Sequence, residues 1–271
     1  MKRFATALLA LLLVAVPFAA RAQAFDHGHK AWDALVKKHV VLLQGGKASQ
    51  VRYAGMSRDR AALKAYLDSL SGVTEAQFNA WSKAERMAFL INAYNAFTVE
   101  KVLTRYPNLK SIRDFGSVFG NPWKDKFFKL LGRESYLDQV EHEMLRKPGA
   151  YDEPRVHFAV NCASIGCPML REAAFVAPRL EAQLDEQALR FMSDRSRNRY
   201  NAAAGKLEVS KIFDWYGVDF KQGYKGIDSL TGFCARYAEQ LADAPAAQER
   251  VKAQKAPIDF LEYDWQLNDV R

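Results

Sequence analysis

The sequence has little of what would assign a function class directly. It contains only three cysteines in 271 residues, and no second cysteine pair of the kind that completes a zinc module. After the N-terminal run from Phe4 to Ala20, no segment is apolar enough to span a bilayer. It also has no internal repeat, no low-complexity tract and no nucleic-acid-binding motif. These absences exclude an integral membrane segment in the mature chain and a nucleic-acid partner.

The N-terminus has the pattern of a cleavable signal peptide. Lys2 and Arg3 precede the apolar run, and residues 22–24 (AQA) fit the small-x-small pattern of a signal peptidase site. A proline near the end of the run disfavours a retained transmembrane helix. We therefore expect residues 1–24 to be removed and residues 25–271 to fold as one soluble domain in the periplasm or outside the cell.

Charge is mild, whereas aromatic content is high. Removing the three basic residues of the signal from a formal net charge of +8 leaves a small basic excess. The densest basic stretch, residues 190–199, is interpreted as a solvated helix end and loop. Five Trp, eleven Tyr and seventeen Phe predict a large packed interior and argue against disorder.

Helical periodicity dominates, and the longest helix is predicted from Lys83 to Arg105. Its middle is apolar all round, which is typical of a buried helix. Asn92 and Asn95 nevertheless lie in it, one turn apart on the same side. Buried amides need hydrogen-bond partners, so we interpret both as binding residues. Residues 155–161 (RVHFAVN) read as the clearest strand, and the whole is predicted to be a mostly helical α+β domain with a small sheet around the buried helix.

Chemistry is expected at the turn that carries Cys162 and Cys167. Three interpretations fit two thiols five residues apart in an exported protein: a structural disulfide, metal ligation with a histidine, and a reactive thiolate. The spacing is looser than that of a zinc knuckle, and neither a metal nor another cofactor is predicted. A thiol near turn N–H groups and an imidazolium has a lowered pKa. Cys234, in a helical stretch, is interpreted as a small buried residue.

Two histidines are candidate partners of such a thiol. His142 lies in a predicted helix with Asp138 four residues before it on the same face, where a carboxylate can orient an imidazole for general base catalysis. Glu141 points about 100° away around a helix, towards the thiol or a substrate amine. His157 and Cys162 fall on opposite faces of the predicted strand, so His157 is expected to bind ligand and not to serve the thiol.

Five stretches of the chain form one composite pattern: residues 88–103 (AFLINAYNAFTVEKVL), 136–146 (YLDQVEHEMLR), 154–170 (PRVHFAVNCASIGCPML), 207–220 (LEVSKIFDWYGVDF) and 260–268 (FLEYDWQLN). Together they resemble the domain of unknown function 547 family, in the family's order. The resemblance implies a fold similar to that of papain- and transglutaminase-type thiol enzymes, with Cys162 as nucleophile, His142 as base and Glu141 as acid. Helix geometry favours Asp138 over Glu141 for the last role. Papain-like enzymes place the cysteine before the histidine in the chain, whereas here the order is reversed.

The combined prediction is a thiol-dependent hydrolase or acyl transferase that acts on an amide or thioester in a small molecule or peptide. Cys162 attacks, His142 transfers the proton, and backbone N–H groups with Asn161 hold the oxyanion. One alternative is a non-catalytic binding protein, in which a Cys162–Cys167 disulfide closes a loop that recognises a small thiol, a peptide or an envelope component. A second alternative is a redox protein that cycles the same two cysteines. The oligomeric state is left open.

Overall fold

A computed structural model describes residues 24–116 and 121–270 of the chain. The predicted signal peptide therefore lies outside the described residues, except for Ala24. Among the described residues, none of the helices combines the length and the apolar character that crossing a bilayer requires.

The centre of the fold is the long helix α5, Lys83–Leu103, which is buried at every residue from Met87 onward. Ser82 and Glu85 form the capping box that starts it, because each side chain binds a backbone N–H that the first turn leaves free. Helices on both sides bury its apolar surface, and the largest hydrophobic cluster surrounds it. The predicted buried helix is confirmed, and it ends two residues before Arg105.

Other helices pack in two groups. The helices before α5 contribute to the hydrophobic cluster that surrounds α5. The helices from residue 180 onward contribute to a second hydrophobic cluster around Phe158. The first group is α1 (Lys30–His39), α2 (Tyr53–Arg58), α3 (Arg60–Ser71) and α4 (Glu75–Ala80). The second group is α6 (Leu180–Met192), α7 (Ile212–Trp215), α8 (Leu230–Ala235), α9 (Ala238–Leu241) and α10 (Pro245–Lys252). A π-helix, Gln139–Leu145, packs directly on α5.

The strands of the described residues are short and fall into three small sheets. Two of these sheets are antiparallel hairpins, and the third joins an antiparallel pair to a parallel strand from near the C-terminus. The mixed, mostly helical α+β prediction is confirmed, with the strands divided among three sheets and not gathered in one. The strands are β1 (Val40–Leu43) with β2 (Ala48–Val51), β3 (Phe128–Leu130) with β4 (Arg133–Ser135), and β5 (Arg199–Asn201), β6 (Lys206–Val209) and β7 (Ile258–Phe260).

The strand predicted for residues 155–161 is wrong, because Pro154–Phe158 is a short 3-10 helix. Pro154 occupies its first turn, where a fixed φ and a missing N–H are tolerated, and the Glu153 carboxylate accepts from the N–H of Arg155. The backbone that follows binds the side chain of Asn95 instead of a neighbouring strand. The alternation that separated His157 from Cys162 therefore does not apply.

Candidate functional site

A cavity of about 330 Å³ is lined by most of the reactive side chains that the sequence analysis identified. It opens between the π-helix, the cysteine turn, helix α7 and the C-terminal segment. Three predicted binding residues, Asn92, Asn95 and Asn161, are not among its lining residues in the described chain. The acidic, imidazole and thiol side chains that line it are Asp138, Glu141, His142, His157, Cys162 and Cys167.

The π-helix explains why Glu141 and His142 both reach the cavity. The N–H of Arg146 donates to the carbonyl of Glu141 at 2.9 Å, which is the i→i+5 bond of a π turn. The turn is wider than that of the ordinary helix predicted here, and such turns occur frequently at functional sites. Asp138 stands at its N-terminal end with its side chain bonded to Asn121 at 3.2 Å.

The cysteine turn is held by two asparagines. Asn95 donates to the carbonyl of Ala159 at 2.9 Å and accepts from the N–H of Asn161 at 2.8 Å. Asn161 in turn accepts from the N–H of Ala163 at 2.9 Å and donates to the carbonyl of Pro168 at 2.8 Å. Both ends of the Asn161 amide are therefore engaged within the turn, and its predicted role at the oxyanion stays a prediction.

Asn92 makes the same kind of connection to a different loop. Its side chain donates to the carbonyl of Phe175 at 2.7 Å and accepts from the N–H of that residue at 3.0 Å. The two buried asparagines of α5 thus each satisfy a pair of backbone groups that would otherwise lack partners. In this structure they position loops and make no contact with the cavity.

The two thiols of the turn are free and lie 3.0 Å apart, sulfur to sulfur. The hydroxyl of Tyr263 lies 3.1 Å from the sulfur of Cys162. The hydrogen bond with Cys167 is the largest influence on the Cys162 thiol, and together with smaller contributions from Tyr263 and Ser164 it outweighs burial and lowers the pKa of Cys162 to about 7. Burial raises the pKa of Cys167 well above its ordinary value, so Cys167 keeps its proton and, once Cys162 has ionised, donates it to the Cys162 thiolate. Cys162 is therefore the sulfur that ionises.

The ring of His142 lies between the guanidinium of Arg146 and the carboxylate of Asp138. Arg146 donates to its Nδ1, and because a guanidinium can only donate, the ring proton is on Nε2. That nitrogen is 3.8 Å from a carboxylate oxygen of Asp138, whose pKa burial raises above its ordinary value. His142 thus presents an N–H at Nε2 on the side of Asp138, while its Nδ1 accepts from Arg146. In the described chain, no imidazole is among the hydrogen-bond partners of the Cys162 sulfur.

A second imidazole–carboxylate pair lies in the same cavity and was not predicted. His157 donates from Nε2 to Asp219 at 2.7 Å, and Arg146 binds the same carboxylate at 2.6 Å. Burial opposes ionisation of Asp219, yet these two hydrogen bonds hold its pKa well below its ordinary value. Burial lowers the pKa of His157, so the ring is neutral at pH 7. Its Nδ1 carries a lone pair that no described residue binds.

Asp219 and Tyr263 were present in the stretches of family resemblance without a role. Each is more than fifty residues from Cys162 and Cys167 along the chain, so no local spacing indicates that they meet these thiols. The signal available was their place in the motifs FDWYGVDF and FLEYDWQLN. In the described residues, no group of three or more His, Cys, Asp or Glu side chains is arranged to hold a metal ion.

A family model matches part of the chain. Residues 78–192 match the model of DUF547, a protein of unknown function, which confirms the predicted resemblance over this segment. It contains helix α5, the π-helix and the cysteine turn, whereas Asp219 and Tyr263 lie beyond it. No curated protein and no solved structure matches the chain. The likeness to papain- and transglutaminase-type enzymes stays a prediction.

Proposed function

We propose that this chain, which carries a DUF547 segment, is an exported thiol-dependent hydrolase or acyl transferase with Cys162 as its nucleophile. The observation that carries the proposal is a part-exposed thiol whose pKa is lowered to about 7 on the wall of a cavity. At neutral pH roughly half of such a thiol is thiolate, the reactive form. Its sulfur attacks the carbonyl carbon of an amide or thioester, which releases an amine or a thiol.

His157 transfers the protons in this scheme. It takes the thiol proton onto Nδ1 as the carbon–sulfur bond forms, and gives it to the amine or thiol that leaves. It then takes a proton from the water or acceptor that attacks the acyl-enzyme, and the Cys162 sulfur leaves. Asp219 fixes the tautomer and stabilises the imidazolium, as in other triads. His142 donates its Nε2 proton in a hydrogen bond to the substrate.

Mass spectrometry of the acylated protein tests the nucleophile. The reduced protein is mixed with a small thioester, and its intact mass and acylated peptide are determined. We expect one acyl group on Cys162, none on Cys162→Ala, and an unchanged result for Cys234→Ala, because burial raises the pKa of Cys234 to about 12. An adduct that persists in Cys162→Ala, or no adduct in the wild-type protein, sinks the proposal.

Alkylation without reductant separates the enzyme from its main rival, a structural or redox disulfide. The 3.0 Å separation of the sulfurs favours such a disulfide. In the redox protein, the two thiols lose two electrons and two protons to a partner disulfide, which is reduced to two thiols. If the protein as purified labels at Cys162, the thiol is free to act as nucleophile. If neither thiol labels and the measured potential is below about −300 mV, the bridge is structural. A higher potential, with reduction of an added disulfide substrate, identifies a redox protein.

A further inference from the structure

The cavity beside Cys162 is acidic, although the chain as a whole has a formal net charge of +8. Asp138 and Glu141 both line it, and none of its lining residues in the described chain is a lysine or an arginine. A partly ionised Cys162 adds negative charge at the same wall. The cavity therefore presents a negative potential to whatever enters it.

Among the groups that line the cavity, Glu141 gives the clearest indication of the charge of the ligand. It is only 5 % exposed and interacts with the hydroxyl of Tyr216, but it forms no ion pair within 4.0 Å to any residue in the described ranges. The guanidinium of Arg146 acts on Glu141 only through longer-range attraction, because its hydrogen bonds go to Asp219 and His142. A buried carboxylate without an ion pair in direct contact is unfavourable, so a cation supplied by a ligand would complete the site.

Aromatic rings also line this cavity. The ring of Trp215 lies 4.9 Å from that of Tyr263 and 5.6 Å from that of Trp265, and Trp123 lies 6.0 Å from Trp265. Trp215 is 43 % exposed, which is unusual for so large an apolar side chain. Indole faces attract ammonium groups by cation–π interaction and accept aliphatic stems by apolar contact.

From this combination we propose that the ligand of the Cys162 cavity carries a protonated amino group on a short apolar stem. The ammonium group binds between the carboxylates of Glu141 and Asp138, and the stem lies against Trp215. A lysine-like side chain, a peptide N-terminus or a small diamine has this chemistry. The inference rests on the proposed function only in calling this ligand the substrate, since the binding itself does not require the thiol.

Tryptophan fluorescence in the Cys162→Ala variant tests the binding without catalysis. The probes are n-butylammonium, the neutral n-pentanol and the anion butyrate, titrated at pH 7 and constant ionic strength. We expect n-butylammonium to bind at least about tenfold more tightly than n-pentanol, and butyrate not to bind, because one tenfold step corresponds to a single modest charge contact. Equal binding of the alcohol and the ammonium, or tighter binding of butyrate than of n-butylammonium, overturns the inference.

Charge variants locate the contact. Glu141→Gln keeps an acceptor for Tyr216 and should weaken n-butylammonium about tenfold, with no change for n-pentanol. Asp138→Asn changes the other carboxylate that lines the cavity, should weaken n-butylammonium in the same way, and serves as the test if Glu141→Gln does not fold. The matched control is Glu143→Gln, because Glu143 lies on the same π-helix but binds Tyr136 outside the cavity. The inference is contradicted if n-butylammonium binds as tightly to Glu141→Gln and Asp138→Asn as to the unchanged cavity. Failure of the thioester reaction alone contradicts only the proposed function.

Discussion

The hydroxyl of Tyr263 lies 3.1 Å from the sulfur of Cys162, although 101 residues separate them in the chain. Burial raises the pKa of Tyr263 well above its ordinary value, so the phenol stays protonated and donates to the thiolate. Close backbone contact brings the two segments together, since the N–H of Gly166 donates to the carbonyl of Asp264 at 2.8 Å. A Cβ at Gly166 would lie 2.9 Å from the Asp264 nitrogen, so a larger residue would push the phenol away from the sulfur.

The pKa of Cys162 should follow its two donors. Cys167→Ala removes the largest cause of the lowered pKa, and we expect the midpoint of thiol ionisation to rise from about 7 by roughly one pH unit. Tyr263→Phe should raise it by less. The measurement is the iodoacetamide alkylation rate of Cys162 from pH 5 to 10, followed by peptide mass spectrometry. Cys234→Ala, which removes a thiol in the second hydrophobic cluster, should leave the midpoint unchanged. A midpoint that is unaffected by Cys167→Ala would falsify the assigned hydrogen bond.

Acid should destabilise the fold through His29, far from the cavity. This residue is 2 % exposed, and burial lowers its pKa to about 4, whereas in the unfolded chain it is about 6.5. Between these values the unfolded state binds more protons, so the stabilisation is complete above pH 6.5 and is lost as the pH falls towards 4. The loss should be about 3 kcal/mol.

Urea unfolding at pH 7 and pH 4.5 measures that loss. His29→Gln keeps an acceptor for the hydroxyl of Tyr66, which binds the His29 ring at 2.7 Å, but cannot take up the proton. Its stability should fall less with acidification than that of the wild-type protein. His27→Gln, two residues earlier and partly exposed, is the control and should behave like the wild type. Equal pH dependence in His29→Gln and the wild type rules out the assignment.

Asp219 should matter for turnover more than for the first attack. Asp219→Asn leaves His157 without the carboxylate that fixes its tautomer and stabilises its charge, and in a triad this lowers kcat by about 100-fold or more. Alkylation of Cys162 by iodoacetamide should stay within about threefold of wild type, because its thiolate depends on Cys167 and Tyr263. Single-turnover acylation and steady-state hydrolysis of a thioester give the two rates.

His157→Gln provides the second variant for this prediction, since loss of Asp219 also removes the ionic partner of Arg146. We expect the acyl-enzyme to accumulate in both variants, because water no longer loses its proton to a base. His142→Gln should bind substrate less tightly but still turn over. If His142→Gln lost turnover while His157→Gln kept full activity, His142 and not His157 would be the residue that transfers the protons.

The sequence could predict what depends on local pattern. The helix around Asn92 and Asn95 was predictable because its residues are apolar on all sides and a capping box starts it. Cys162 stood out because thiols are rare in the chain and lie in a turn. The strand predicted at residues 155–161 failed because β-branched and aromatic residues can serve a buried 3-10 helix as well as a strand. Only the tertiary contact with Asn95 decides where that backbone makes its hydrogen bonds.

The partners of the thiol could not be predicted for a related reason. Asp219 and Tyr263 reach the cavity through packing of distant segments, and neither has a spacing relation to Cys162 that periodicity can detect. His142 was identified by its carboxylate four residues away, but the contact that sets its tautomer comes from Arg146 on its other side. Local sequence thus indicates which residues are chemically capable. The fold decides which atom of each remains available.

The two asparagines of α5 permit a final prediction that separates stability from function. Asn95→Ala removes both hydrogen bonds to the backbone before Cys162, at Ala159 and Asn161, and Asn92→Ala removes both to Phe175. Each leaves two buried backbone groups without partners, so each should destabilise the protein by about 3 kcal/mol. Only Asn95→Ala should also lower the alkylation rate of Cys162, because only that loop carries the thiol.

Urea unfolding and iodoacetamide alkylation, measured on the same preparations at pH 7, compare the two variants. Their equal loss of stability makes each the control for the other, so a difference in Cys162 reactivity reports the position of the turn and not general loosening. The argument requires that the thiolate be stabilised by Cys167 within a turn of fixed shape, which the Asn95 amide holds in place. If Asn92→Ala slows alkylation as much as Asn95→Ala, the reactivity of Cys162 depends on the packing of the whole domain and not on this turn.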